Sequence, residues 1–275
     1  MTEPLPINPL LALAVARDTA REVGRLIQSY ARGELQVQTK GGDARDLVTI
    51  ADTTADEMIQ YNLSKAFPDF RIFSEETYTP GDLIQTDIPT WLVDPLDGTS
   101  NFTYGLPHYA VSIALWWQGE PWVGVVYDVR RDIMFYGTRG GGAWANDRRL
   151  VVSDRPLERA IICADWAREP VRRRAVAHAF ADLVQVCHTA RSFGSAALNF
   201  CYVAAGWLDA YFNLGLYPWD VGAGGLLVRE AGGMLTDETG TPWTTAHRGA
   251  VATNGHIHEA ILQTLARHLT DDRTP

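Results

Sequence analysis

The stretch WLVDPLDGTSNF, Trp91 to Phe102, carries the residues best suited to chemistry. Trp91, Leu92 and Val93 read as a buried strand. Asp94 and Asp97 follow, with Pro95 and Leu96 between them, and then come Gly98, Thr99, Ser100 and Asn101. Carboxylates this close repel unless a cation lies between them. Hard oxygen ligands, with the Leu96 backbone carbonyl among them, suit Mg²⁺, Mn²⁺ or Ca²⁺ better than zinc. The amides of Gly98 and Thr99, at the start of a helix, are placed to hold a phosphate oxyanion. A metal beside an amide nest points to phosphoryl chemistry. For an isolated Asp-x-x-Asp-Gly-Thr, an Asx-turn with an N-cap explains the pattern equally well.

Further acids recur along the chain. FSEET places Glu75 and Glu76 after a short apolar run, and YPWDVGAGG places Asp220 at the head of a small-residue helix. DLVTIAD holds Asp46, Thr49 and Asp52. Taken singly, the glutamates read as solvated and the aspartates as helix caps.

The elements that must position these residues follow from periodicity. Asn8 and Pro9 open a long amphipathic helix, with Leu11, Val15, Val23, Leu26, Ile27 and Tyr30 on its apolar positions. LQVQTKGGDARDLVT reads as a hairpin, and Thr49 with Asp52 as the capping box of a second helix that ends at Pro68. From Arg71 to Val152 short β-branched and aromatic runs predict an antiparallel-rich α+β half. The remainder alternates strands and helices as an α/β half: RAIICAD, PVRRRAVAHAFADLV, VCHTARSF, SAALNFCYVAAG, LDAYFNL and DVGAGGLLVREAGG. MLTDETGTPW reads as a hairpin and HIHEAILQTLARHL as a terminal helix. No linker divides the halves, about 1–152 and 153–275, so residues 1–275 are expected to form a single domain.

Composition narrows the class. The 275 residues are 46% hydrophobic, enough for a large core. With 24 Lys plus Arg against 33 Asp plus Glu, the net charge of −9 argues against a nucleic-acid partner. Cys163, Cys187 and Cys201 are too few and odd in number for a disulfide framework, so they are expected to be reduced and buried. The N-terminal apolar run has no basic leader and is broken by Arg17 and Asp18. Neither a signal peptide nor a membrane partner is expected, and the cytoplasm is the expected location.

Together, DLVTIAD, SEE, WLVDPLDGTSNF and WDVGAGGLLVREAGG resemble, in order and spacing, the inositol monophosphatase family of Mg²⁺-dependent, lithium-sensitive sugar and polyol phosphatases. The resemblance spans roughly Leu35 to Gly233. It implies a layered αβαβα sandwich of the inositol monophosphatase and fructose-1,6-bisphosphatase type. It also implies roles at matching positions. Glu75, Asp94 and the Leu96 carbonyl would hold a first Mg²⁺, and Asp94, Asp97 and Asp220 a second. Asp52 would sit behind them, helping a third, weaker metal or its water. Thr99 with Glu75 would orient the attacking water, and the Gly98 and Thr99 amides would hold the phosphate. Gly194, Ser195 and Ala196 match the segment that lines the polyol pocket, with Asn213 and Asp220 also beside the substrate. Lys40 either reaches toward the site from its hairpin or remains a solvated lysine. The family also implies a homodimer, which nine tryptophans make plausible on surface grounds.

The resemblance favours inositol 1-phosphate as the small phosphorylated substrate. The inositol branch usually carries glutamate at the position of Asn213, an amide that can donate and accept, which leaves fructose 1,6-bisphosphate and histidinol phosphate open. Haloacid dehalogenases also use an Asp-Gly-Thr end, but here Leu96 stands where their nucleophilic aspartate belongs. A non-catalytic metal-dependent binding protein is the remaining alternative. Arg191 is a candidate partner for the acids or the substrate. His108, His188, His247, His256 and His258 suggest surface or turn roles.

Overall fold

The computed structural model describes residues 5–31, 37–39, 47–82, 84–85 and 87–270. Lys40 and Asp46 lie outside the described residues.

Helix α1 (Pro9–Tyr30) begins as its sequence dictates: the Asn8 side chain accepts from the Leu10 amide at 2.9 Å, and Pro9 fills the first turn. Half of its buried positions are Ala or Gly, namely Ala12, Ala16, Ala20 and Gly24, so it lies close against the sheet. The short strands β1 (Val37–Thr39) and β2 (Leu47–Thr49) pair antiparallel, as the hairpin reading requires. Helix α2 (Ile50–Ala66) starts at the Thr49–Asp52 capping box.

Strands β3 (Arg71–Ser74), β4 (Thr90–Asp97), β5 (Ala110–Trp117), β6 (Glu120–Asp128), β7 (Ile133–Thr138), β8 (Gly142–Ala145) and β9 (Arg148–Arg149) form a seven-stranded sheet in sequential order. Only the β3–β4 pair is parallel. The short helix α3 (Thr99–Thr103) follows β4 directly. A second sheet has the order β11-β10-β12-β14-β13, built from β10 (Ile161–Ala164), β11 (Thr189–Arg191), β12 (Ala210–Asn213), β13 (Met234–Thr236) and β14 (Ala250–Thr253). Strands β10, β11 and β12 are parallel; β14 runs antiparallel between β12 and β13.

Five layers result. Helices α1 and α2 cover one face of the seven-stranded sheet through an apolar cluster that includes Ile27, Ile59, Trp91 and Ile113. Between the two sheets lie α5 (Ala196–Ala204) and α6 (Pro218–Glu230), with Leu92, Phe200, Tyr211 and Leu227 in one cluster. Helices α4 (Pro170–Leu183) and α7 (His258–Thr270) cover the far face of the second sheet around Ile162, Phe212 and Ile261. This is the αβαβα order. Among the described residues, no helix is long and apolar enough to cross a membrane.

Four features depart from the sequence reading. Strand β14 is absent from it. MLTDETGTPW is not a hairpin: β13 pairs with β14, and only an isolated bridge joins Thr236 to Pro242. Asp237 folds the intervening turn by accepting from the Thr239 and Thr241 amides at 2.8 and 2.9 Å. His108 and His258 are buried rather than superficial, at 8% and 4% exposure. The His258 ring sits 3.0 Å from both Thr236 Oγ1 and Thr253 Oγ1. Cys163 and Cys201 are buried, whereas Cys187 is half-buried; all three are free.

The glycines of α6 explain how one helix serves two sheets. A Cβ on Gly222 would meet Leu92 of β4 at 2.9 Å, one on Gly224 would meet the Phe200 Cβ of α5 at 2.5 Å, and one on Gly225 would meet Leu235 of β13 at 2.7 Å. Glycine costs helix propensity of about 1 kcal/mol each, and close packing on three sides offsets it. Gly224→Ala regains that propensity but drives Cβ into the backbone-anchored Phe200. A net loss of about 1–3 kcal/mol is expected in urea unfolding; an unchanged midpoint would mean that the α5–α6 contact relaxes freely.

Candidate functional site

The acids are brought together by a defect in pairing. In a regular strand, residues three apart point to opposite faces. Between Asp94↔Ser112 and Asp97↔Ala110 the β4–β5 register shifts by one residue. This bulge, next to Pro95, which has no amide to give the ladder, turns both carboxylates to one side. Asp220, in the first turn of α6, completes a cluster in which one oxygen from each of Asp94, Asp97 and Asp220 lies within 4.8 Å of the others.

Each carboxylate is held by backbone amides. Asp97 sits on the N-terminus of α5: it accepts from the Ala196 and Ala197 amides at 3.1 and 3.0 Å and from the Ser195 hydroxyl. Asp220 accepts from the Tyr217 amide at 2.7 Å, and Asp94 from the Leu96 amide at 3.0 Å. Asp52 takes the Thr49 amide at 2.7 Å and the Thr99 hydroxyl at 2.8 Å. That hydroxyl also lies 3.0 Å from the Leu96 carbonyl oxygen. Burial pushes Asp97 up to about 7 and raises Asp220 and Asp52 above the ordinary carboxylate range, with the Glu75 charge adding to both of the latter. A cluster of three carboxylates, Asp94 and Asp97 buried and Asp220 half-buried, all oxygen donors with no His or Cys among them, fits a hard divalent cation.

A cleft of about 330 Å³ opens on this cluster. Glu75, Asp94, Leu96, Asp97, Gly98, Thr99 and Asp220 line one end, and Gly194, Ala196 and Asn213 border it further along. Gly98 takes φ +92, and a Cβ there would meet the His108 carbonyl oxygen at 3.0 Å, so the turn into α3 demands glycine. Two expected residues are placed behind the cleft rather than in it. Ser195, the residue that precedes α5, is fully buried and gives its hydroxyl to Asp97 rather than to a helix-capping bond. Asp52, at 1% exposure, reaches the site only through Thr99. Arg191 is no partner to the acids: its Nη1 donates to Thr189 Oγ1 and the Ala190 carbonyl at 2.6 and 2.8 Å. Among the described residues no histidine lines the cleft. His108 packs on Phe193 and Tyr202, and burial pushes it down to about 4.

Sequence reasoning missed Asp165, Arg168, Arg173, Tyr211, Tyr217 and Trp219, all of which border the cleft. The signal was available in part: β10 and β12 are parallel, and the carboxyl ends of parallel strands are where clefts form. Tyr217 stacks on Trp219 with centroids 4.6 Å apart, and Arg248 covers its other face at 3.3 Å.

The model of the family described as "Inositol monophosphatase family" matches residues 11–270. A relative from Pasteurella multocida named "Nus factor SuhB" is 39% identical over 97% of this chain and 99% of its own. "Inositol monophosphatase 1" of Mus musculus is 35% identical over 86% of each. An IMPase structure from Thermotoga maritima superposes with a TM-score of 0.85 at 31% identity, covering 94% of this chain and 98% of that one.

The Asp97 environment makes stability depend on pH. An unfolded aspartate releases its proton near pH 4, whereas buried Asp97 keeps it to about 7. Between those values the folded, metal-free protein binds more protons than the unfolded chain, so its stability falls as pH rises through the window and the loss is complete above it. A cation removes that penalty. The rise in Tm on adding Mg²⁺ should therefore be larger at about pH 8 than at about pH 5.5. Equal rises would show that Asp97 does not face the cation.

Proposed function

Since this chain belongs to the inositol monophosphatase family, we propose that it is a phosphoric monoester hydrolase acting on a small sugar or polyol phosphate, with inositol 1-phosphate as the preferred substrate. The convergence of Asp94, Asp97 and Asp220 beneath the Gly98–Thr99 turn is the observation that carries this reading. Glu75, Asp94 and the Leu96 carbonyl would hold one Mg²⁺, and Asp94, Asp97 and Asp220 a second, with Asp52 behind a third. When bound, the ions supply the positive field that admits a phosphate among carboxylates and makes water a better nucleophile.

The chain's own residues do the rest. Thr99 gives its single hydroxyl proton to Asp52 or to the Leu96 carbonyl, which leaves an oxygen lone pair toward the cleft. With Glu75 it would orient the attacking water, Glu75 taking up the proton. The amides at the Gly98–Thr99 turn would hold the phosphate, and Gly194, Ala196 and Asn213 would border the alcohol. Fructose 1,6-bisphosphate is the second reading, favoured by Arg168 and Arg173 on the cleft rim and by the neutral Asn213. We further propose a single domain, a cytoplasmic location and a homodimer. Exposed Tyr104 and Leu106, at 78% and 55%, offer apolar surface for a second copy, and light scattering at micromolar concentration should give twice the chain mass.

The deciding measurement is hydrolysis of inositol 1-phosphate, fructose 1,6-bisphosphate and histidinol phosphate with Mg²⁺ and with EDTA. Turnover lost in EDTA is expected; no turnover of any ester would favour a non-catalytic metal-binding role. Asp97→Asn should lower kcat more than about a hundredfold while the chain still folds. Li⁺, close to Mg²⁺ in size with half its charge, should inhibit where Na⁺ does not; equal effects of the two salts would count against the Asp94–Asp97–Asp220 site.

A further inference from the structure

At the end of β3 the chain turns sharply. The Glu75 amide donates to the Val93 carbonyl of β4 at 3.1 Å, and the Thr77 amide donates to the Ser74 carbonyl at 3.3 Å. Glu75, within that turn, lines the cleft. The segment that follows is largely on the surface: Thr77, Thr79, Pro80, Gly81 and Asp82 are exposed. Tyr78 is half-buried and folds inward instead. Its ring centroid lies 5.6 Å from Phe73, 5.2 Å from Trp219 and 5.6 Å from Tyr217. The Tyr217 contact is edge-to-face, the arrangement in which ring quadrupoles attract.

Two of these rings belong to the start of α6, where Asp220 stands, and they are fixed without Tyr78. Trp219 is buried, and its carbonyl accepts the Ser112 hydroxyl at 3.1 Å. Tyr217 lies between Trp219 and Arg248, and its amide holds the Asp220 carboxylate. The stack is therefore a platform, and Tyr78 is the anchor that lands on it, three residues past Glu75. Glu75 and Asp220 face one cleft, and like charges repel. Ring contacts between their two segments oppose that repulsion.

We propose that Tyr78 is a positioning residue whose ring clamps the Glu75 turn onto the Tyr217–Trp219 stack, so that Glu75 already faces the Asp94–Asp97–Asp220 cluster when a divalent cation binds. This deepens the phosphatase reading and rests on it for the role of Glu75 as an ion ligand. The gain is preorganisation: order supplied by packing need not be supplied by the ion. Tyr78 makes these contacts with its ring, so phenylalanine should serve in its place and an aliphatic side chain should not.

The test is calorimetric titration of the metal-free protein with Mg²⁺, which needs no substrate. Tyr78→Leu should weaken Mg²⁺ binding about tenfold, the equivalent of losing two aromatic pairs, whereas Tyr78→Phe should bind as wild type does. In a Glu75→Gln background the Tyr78→Leu change should alter affinity by less than about twofold, because the ligand it positions is gone. A ring that only filled space between β3 and α6 would leave Mg²⁺ affinity unchanged, or would weaken it equally in both backgrounds; either result overturns the proposal. Tyr78→Met takes the place of Tyr78→Leu should the latter fail to fold. A wild type that binds Mg²⁺ but hydrolyses no phosphate ester would remove the phosphatase reading alone, and the titrations would still decide Tyr78. A wild type with no affinity for Mg²⁺ overturns both.

Discussion

Glu75, Asp94, Asp97 and Asp220 face one cleft, and like charges in a poorly hydrated place repel. The fold is arranged around tolerating that repulsion. Three of the site's aspartates are held at helix beginnings: Asp52 in the first turn of α2, Asp220 in the first turn of α6, and Asp97 against the first amides of α5. Helix N-termini carry partial positive charge, so each offsets part of the burial cost before any ion arrives. The compensation is incomplete, since Asp97 and Asp220 remain harder to ionise than ordinary carboxylates. That residue of unfavourable energy is what a divalent cation relieves.

Layering follows from the same demand. The acids come from β4 in the first sheet and from α6 between the sheets, while the donors to Asp97 come from α5. These elements converge only if α5 and α6 are buried on nearly all sides, and the residues of α5 are buried from Ala196 to Ala204. The small residues of α6 supply the closeness, and the bulge in β4 supplies the direction.

Local features of this arrangement were legible in the sequence. The Asn8–Pro9 and Thr49–Asp52 helix starts, the β4 run and the Asp94–Asp97 pair are each written within a few residues. The acids spread over Glu75, Asp94, Asp97 and Asp220 were joined by resemblance, and the structure places all of them on one cleft. What was not legible depends on contacts distant in sequence. Strand β14 is four small or branched residues whose identity comes from lying between β12 and β13. Asp165 gains its position from pairing across strands, and Ser195 loses an expected place in the cleft because its hydroxyl turns inward to Asp97, 98 residues away in sequence. Asp237, an ordinary turn former, sends the chain away from a hairpin.

The grip of α5 on Asp97 has a temporal consequence. Its carboxylate and the Ser195 hydroxyl are separated by 98 residues of chain. At a synthesis rate of roughly 5–20 residues per second, the aspartate leaves the ribosome several seconds before its cradle exists. A nascent N-terminal half thus carries the acidic strand without the amides that orient it, and without Asp220. The acidic cluster is therefore complete only once Asp220 has emerged, late in translation.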